Sequence, residues 1–254
     1  MKVLEAKGIT KTFGGLTAVN NVDFHIEEGE IVSLIGPNGA GKTTFFNIIT
    51  GVYEPTSGQV NFLGKEIHTL KPYEITIEGI SRTFQNIRLF SSMTVFENIL
   101  IGQYCRTEAN LFNVIFKTKK ATDEQEKAKE RAQEIIDFLE LGPIADEIAT
   151  SLPYGDQRRV EIGRALATEP KLLLLDEPAA GMNTQEKKDM QDLIRKIRDK
   201  GYTVLLIEHD MKLVMGISDR IAVLDYGNKI AEGNPQEIQN NERVISAYLG
   251  KEVG

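Results

Sequence analysis

The chain has no tryptophan, a single cysteine, Cys105, and only three histidines. One cysteine forms no internal disulfide, and histidines scattered this far apart leave no zinc-ligand spacing. A disulfide-stapled secreted module and a structural zinc domain are therefore excluded, and a reducing compartment is expected. Long hydrophobic runs are also missing: Leu172–Leu175 and Val204–Ile207 fall far short of the roughly 20 residues that span a bilayer. The opening MKVLEAKGITKTFGG carries charges every few residues where a secretory leader has an apolar run of about 7 to 15, so no export is expected. Excess positive charge is lacking as well. Lys and Arg number 30 against 37 Asp and Glu, giving a net charge of −7 and a pI near 5.2. That is the wrong sign for broad binding to a phosphate backbone, and no nucleic-acid partner is expected.

What is present suits a protein that buries a sizeable core: 254 residues, 41% apolar and 26% charged, with 22 glycines and 8 prolines. The length admits one large α/β domain, or a main domain with one smaller lobe, and leaves no room for a third.

Along the chain the first 30 residues read as extended. Val3, Leu4 and Ile9 precede a turn at Gly14 and Gly15, and Val22, Phe24 and Ile26 then alternate with polar residues, as in antiparallel strands. The run Glu30–Ile35 is more continuously apolar, as a strand covered on both faces would be, and leads through a glycine-rich segment into a helix carrying Phe45, Phe46, Ile48 and Ile49. A short strand is expected at Gln59–Leu63. Residues 86–165 read as a helical insert: an apolar patch at Leu111–Phe116, lysines at 117, 119 and 120, then a capping-box pattern at Thr122 and Gln125. Ala128, Ala132, Ile135, Ile136 and Leu139 follow on one helical face. Beyond Lys171, strand-like runs at Leu172–Leu175, Thr203–Ile207 and Ile221–Leu224 alternate with helical stretches at Gln185–Lys200 and Pro235–Leu249, the rhythm of a parallel sheet.

The clearest motif is Gly36-Pro37-Asn38-Gly39-Ala40-Gly41-Lys42-Thr43-Thr44, a strand-to-helix loop of the form GxxxxGK[ST]. Its glycines let successive N–H groups point at phosphate oxygens, and the helix adds its positive end. Lys42 reaches the β and γ phosphates, and Thr43 offers a hydroxyl to Mg²⁺. Asp176 and Glu177 end a buried strand at the edge where α/β folds bind ligands. Beside a phosphate loop, Asp176 suits the Mg²⁺ shell and Glu177 suits a base that takes a proton from attacking water.

Over essentially its whole length the sequence resembles an ATP-binding cassette (ABC) ATPase, and within that superfamily it is most similar to the ATPase subunits of branched-chain amino-acid importers. The segments that carry the resemblance are SRTFQNIRLFSSMTVFENILIG (81–102), LPYGDQRRVEIGRALATEPKLLLLDEPAAGMN (152–183) and LIEHDMKLVMGISDRIAVLDYGNKIAEGNP (206–235). By that resemblance Phe13 is the aromatic that stacks on adenine, Gln85 the Q-loop glutamine that touches metal or water, and His209 the switch histidine. Ala179–Asn183 form the D-loop. The signature segment departs from the superfamily's LSGGQ: here it is Leu152-Pro153-Tyr154-Gly155-Asp156. Gly155 and a helix starting near Asp156 keep a backbone donor for a γ-phosphate, whereas Pro153 brings neither a hydroxyl nor an N–H. Asp156 is expected to cap that helix.

The resemblance implies an α/β P-loop NTPase of the ABC type with a mainly parallel sheet, N-terminal antiparallel strands and an inserted helical subdomain. The nucleotide-binding core would span residues 1–85 and 166–254, and the helical signature subdomain 86–165. It implies ATP and Mg²⁺ as cofactors, and head-to-tail pairing with a second ATPase subunit, identical or related. Transmembrane permease subunits and, through the complex, an extracytoplasmic substrate-binding protein would be partners, with this chain peripheral on the cytoplasmic face of the membrane. Two other readings stay open on sequence alone: a lipopolysaccharide-export ATPase, similar through Val160–Leu175, and a soluble P-loop phosphotransferase.

Overall fold

A computed structural model of the protein describes residues 1–106 and 119–249; the apolar patch Leu111–Phe116 lies outside them. In chain order the strands and helices begin with β1 (Lys2–Phe13), β2 (Leu16–Glu27), β3 (Ile31–Ile35), α1 (Lys42–Ile49), β4 (Ser57–Phe62), β5 (Lys65–Glu66) and α2 (Pro72–Glu78). There follow β6 (Ile80–Arg82), α3 (Val95–Gln103), α4 (Lys119–Phe138) and α5 (Tyr154–Ala167). The remainder is β7 (Leu172–Asp176), α6 (Thr184–Asp199), β8 (Thr203–Ile207), α7 (Met211–Ile217), β9 (Arg220–Asp225), β10 (Asn228–Gly233), α8 (Pro235–Gln239) and α9 (Glu242–Leu249).

These elements form two compact units, residues 1–75 with 171–254, and residues 76–170. The divisions between them fall at 75/76 and 170/171. Residues 76–85 are tied into the second unit by two arginines. Arg106 donates to Ile77 O at 2.7 Å, and Arg158 donates to Phe84 O at 2.6 Å and Gln85 O at 2.9 Å.

In the first unit, β1 and β2 pair antiparallel across the Gly14–Gly15 turn, and β4 and β5 extend that sheet in the order β2-β1-β4-β5. The alternation in β2 buries Val22, Phe24 and Ile26, and Phe24 meets Phe45 of α1 edge-on at 5.4 Å between ring centroids. A second sheet runs β10-β9-β3-β8-β7 through this unit. Its β3, β7 and β8 strands are buried at every position, which explains why apolar residues dominate them: a parallel strand covered on both faces has no wet side to alternate with. Strands β9, β3, β8 and β7 pair in parallel, and β10 joins β9 antiparallel. Asp176 pairs with Ile207 and Ile207 with Leu34, so the ends of β7, β8 and β3 stand level on one edge.

In the second unit, α3 begins at a capping box. The Thr94 hydroxyl accepts from Glu97 N at 3.1 Å, and the Glu97 carboxylate accepts from Thr94 N at 2.9 Å. Ala128, Ala132, Ile135, Ile136 and Leu139 are all buried, as the α4 periodicity requires. That helix is already running at Lys119, however, so Thr122 and Gln125 lie inside it and are not its cap. Asp156 is likewise not a cap: α5 starts at Tyr154 with Pro153 at the capping position, which leaves Asp156 within the first turn. Proline's fixed φ suits the start of a helix, and a carboxylate in the first turn favours the positive helix end.

Candidate nucleotide-binding site

The level edge of β3, β7 and β8 puts the glycine-rich loop, the Asp176-Glu177 pair and the Glu208-His209 pair side by side within the first unit. The loop leaves β3 through Gly36 (φ 151°) and enters α1 through Gly41 (φ 99°), both in conformations that disfavour a side chain. Space excludes one as well: a Cβ would lie 2.1 Å from Leu224 O at Gly36 and 2.3 Å from Ala18 O at Gly41. Asn38, Gly39 and the Thr43 side chain are exposed, whereas Ala40 and Lys42 are buried. Lys42 Nζ donates to Gly36 O at 2.7 Å and Pro37 O at 2.9 Å, so its ammonium curls into the ring of loop carbonyls. Burial holds Lys42 below the usual lysine range, opposed by the charges of Glu177 and Asp176. An ammonium with strained solvation and few acceptors is ready to receive phosphate oxygens.

Asp176 is buried at the end of β7. Glu177, next in the chain, has φ 49°, a left-handed backbone that a glutamate rarely adopts, and its N–H donates to Ile207 O at 2.9 Å. Its Oε1 lies 2.8 Å from His209 Nε2. The His209 side chain is 44% exposed and that of Glu177 is 16% exposed, so the pair opens on solvent. Sequence reasoning missed the residue behind it. Glu208 is buried, with one carboxylate oxygen accepting from Ala179 N at 2.8 Å and the other from His209 N at 3.0 Å and Asp210 N at 3.3 Å. Burial raises the Glu208 carboxyl, and those three N–H groups pull it back. One carboxylate thus ties the segment beginning at Ala179 to the end of β8. The only sequence signal for it is a charged residue following a fully buried strand.

Asn183, at the far end of that segment, caps α6 by accepting from Gln185 N and Glu186 N. Phe13 is 41% exposed at the end of β1. It stands edge-on to Tyr53 with ring centroids 5.2 Å apart, and Lys11 Nζ lies 5.2 Å from the Phe13 ring. Tyr53 and Lys11 are neighbours that sequence reasoning did not single out. An exposed aromatic face is what a base would stack on. Tyr248 of α9 was missed too: burial raises its phenol, offset in part by a hydrogen bond with the Gly36 backbone.

Gln85 and Gly155 belong to the second unit. Gln85 is exposed, and Gly155 is the second residue of α5, so its N–H is among the first-turn donors that have no intrahelical acceptor. Among the described residues no cluster of three or more His, Cys, Asp or Glu could enclose a metal ion. The exposed Thr43 hydroxyl and the Asp176 carboxylate fit a Mg²⁺ ion that takes much of its shell from phosphate oxygens and water.

The family model described as ABC transporter matches residues 19–180, and one described as branched-chain amino acid ATP-binding cassette transporter matches residues 228–254. The high-affinity branched-chain amino acid transport ATP-binding protein BraF of Pseudomonas aeruginosa is 48% identical over 250 residues, covering 98% of each chain. A crystal structure of an ATP-binding cassette of an ABC transporter in its ADP conformation superposes with a TM-score of 0.86 at 36% identity, covering 99% of this chain and 100% of that one. A dimeric cassette in a post-hydrolysis state, bound to ADP and Pi, gives a TM-score of 0.76 at 29% identity, covering 91% of this chain and 98% of that one. The phosphate loop, the acidic strand end and the histidine beyond it fall within a match of this extent, and the chain belongs to the ABC transporter family as one of its ATP-binding, ATP-hydrolysing subunits.

Proposed function

We propose that this chain hydrolyses ATP to drive an importer of branched-chain amino acids from the cytoplasmic face of the membrane. The observation that carries the substrate class is the near-half identity to a branched-chain transport ATPase along the whole length, joined to the family match at 228–254. Those two findings favour import of amino acids over lipopolysaccharide export.

In this reading Phe13 stacks on adenine, and the loop from Gly36 to Thr44 wraps the phosphates, with Lys42 leaving its own carbonyls for the β and γ oxygens. Thr43, Asp176 and Gln85 would hold Mg²⁺, which would neutralise phosphate charge. Glu177 accepts the proton of the attacking water, and His209 orients Glu177 and the γ-phosphate. A second ATPase subunit pairs head to tail, its nucleotide meeting the first-turn donors at Gly155.

No helix among the described residues is long and apolar enough to cross a membrane. In this reading force passes to permease subunits, which receive cargo from a substrate-binding protein. Purification of the chain from detergent extracts tests this reading: membrane permeases should accompany it. Recovery alone, with phosphoryl transfer to a soluble acceptor, would overturn it.

A further inference from the structure

The Gln85 loop and the signature segment share one guanidinium. Arg158 of α5 is fully buried. Its Nη1 donates to Phe84 O at 2.6 Å and Glu161 Oε2 at 2.7 Å. Its Nη2 donates to Gln85 O at 2.9 Å and to the Tyr154 hydroxyl at 3.0 Å. Glu161, 1% exposed, accepts in turn from Phe84 N at 3.4 Å and Arg88 N at 3.2 Å. Residues 84–88 therefore hang on a buried ion pair, and the hydroxyl of Tyr154 completes the donor accounting of Nη2. Arg158 Nε is buried with no partner among the described residues, so the guanidinium already carries one unmet N–H and its other four are all used. Without the hydroxyl, a second buried N–H of a charged group would be left unmet.

Tyr154 stands where the superfamily's signature has a glycine, which could make no such contact. We propose that Tyr154 is a positioning residue for Gln85, acting through Arg158, and that it links the signature segment to the Gln85 loop. The proposal rests on the reading that Gln85 serves the chain's own nucleotide while Gly155 meets that of the second subunit. A displacement of residues 152–156 on closure then reaches Gln85 through one side chain, so engagement of one nucleotide sets the residue that acts on the other.

The test uses the full chain as wild type, Tyr154→Phe, Gln85→Ala and the double variant. Tyr154→Phe keeps the ring and removes only the hydroxyl. It should lower kcat about fivefold to twentyfold with KM for ATP within about twofold, the scale of one hydrogen bond to a charged group. Amide exchange should quicken at residues 84–88 and not elsewhere, and adding Tyr154→Phe to Gln85→Ala should change kcat no further. Unchanged exchange at 84–88, faster exchange throughout the chain, or an equal loss of kcat in the Gln85→Ala background would each overturn the proposal. If Gln85→Ala turns over like wild type, the role given to Gln85 fails instead, while exchange at 84–88 still reports whether Tyr154 holds the loop.

Discussion

His209 Nε2 lies 2.8 Å from Glu177 Oε1, across the end of two adjacent parallel strands. The carboxylate oxygen and the ring nitrogen stand at hydrogen-bond distance whichever tautomer the imidazole holds. Glu177 is held from both sides: its backbone is forced to φ 49°, its N–H is fixed on Ile207 O, and its side chain is met by the imidazole. A general base kept in one orientation near solvent is the requirement for activating water.

Replacing His209 by alanine should therefore leave nucleotide binding within about twofold and reduce turnover by about tenfold or more, the scale of one lost hydrogen bond to a charged group. Equilibrium binding of a fluorescent nucleotide together with steady-state hydrolysis separates the two effects. Equal losses in both would remove the orienting role.

Lys42 makes its two hydrogen bonds to carbonyls of its own loop, at 2.7 and 2.9 Å. Lys42→Ala should weaken ATP affinity by about tenfold or more, as loss of a charge-assisted contact does, with calorimetry as the readout. Unaltered affinity would count against the loop as the phosphate site.

Asp210 has two separable tasks. Its carboxylate caps α7, accepting from Lys212 N at 3.0 Å and Leu213 N at 3.1 Å, and it pairs with Lys187 Nζ at 2.7 Å. The hydrogen bond from Lys187 holds the carboxyl below its ordinary value of 3.8. A folded-state value lowered in this way adds stability that is complete above the unfolded-state value and lost as pH falls through the folded one. Asp210→Asn keeps the capping oxygen and should cost under about 1 kcal/mol at pH 7, with a flatter stability profile below about pH 4. Asp210→Ala should cost about 1 kcal/mol more. Urea unfolding between pH 3 and pH 7 would check both.

Glu161 and Arg158 form a fully buried pair at 2.7 Å. Glu161→Ala should destabilise the second unit by about 3–5 kcal/mol, because it leaves a guanidinium uncompensated in the interior. Denaturant unfolding read from exchange protection in residues 76–170 measures this, and a loss below about 1 kcal/mol would contradict it.

The elements legible in the sequence were those whose pattern reports burial directly. The glycine-rich loop, the mainly apolar runs of β3, β7 and β8, and the alternation in β2 were of this kind. β10 was not legible: NKIAEG is polar and half-buried, and it becomes a strand by pairing with β9. Pro235–Leu249 reads as one helix but forms two, because Asn241 accepts from Arg243 N at 3.0 Å and Val244 N at 3.3 Å and so starts a new one. Glu208 and Arg158 escaped notice for a common reason. A buried charge is visible only through the N–H and C=O groups that the fold gathers around it, and those lie far away in sequence.

The measurement closest to the central claim is ATP turnover by Glu177→Gln with nucleotide occupancy followed in parallel. The amide preserves size and removes basicity. The account predicts that hydrolysis is abolished while ATP stays bound and paired subunits accumulate; continued hydrolysis at the wild-type rate would contradict it.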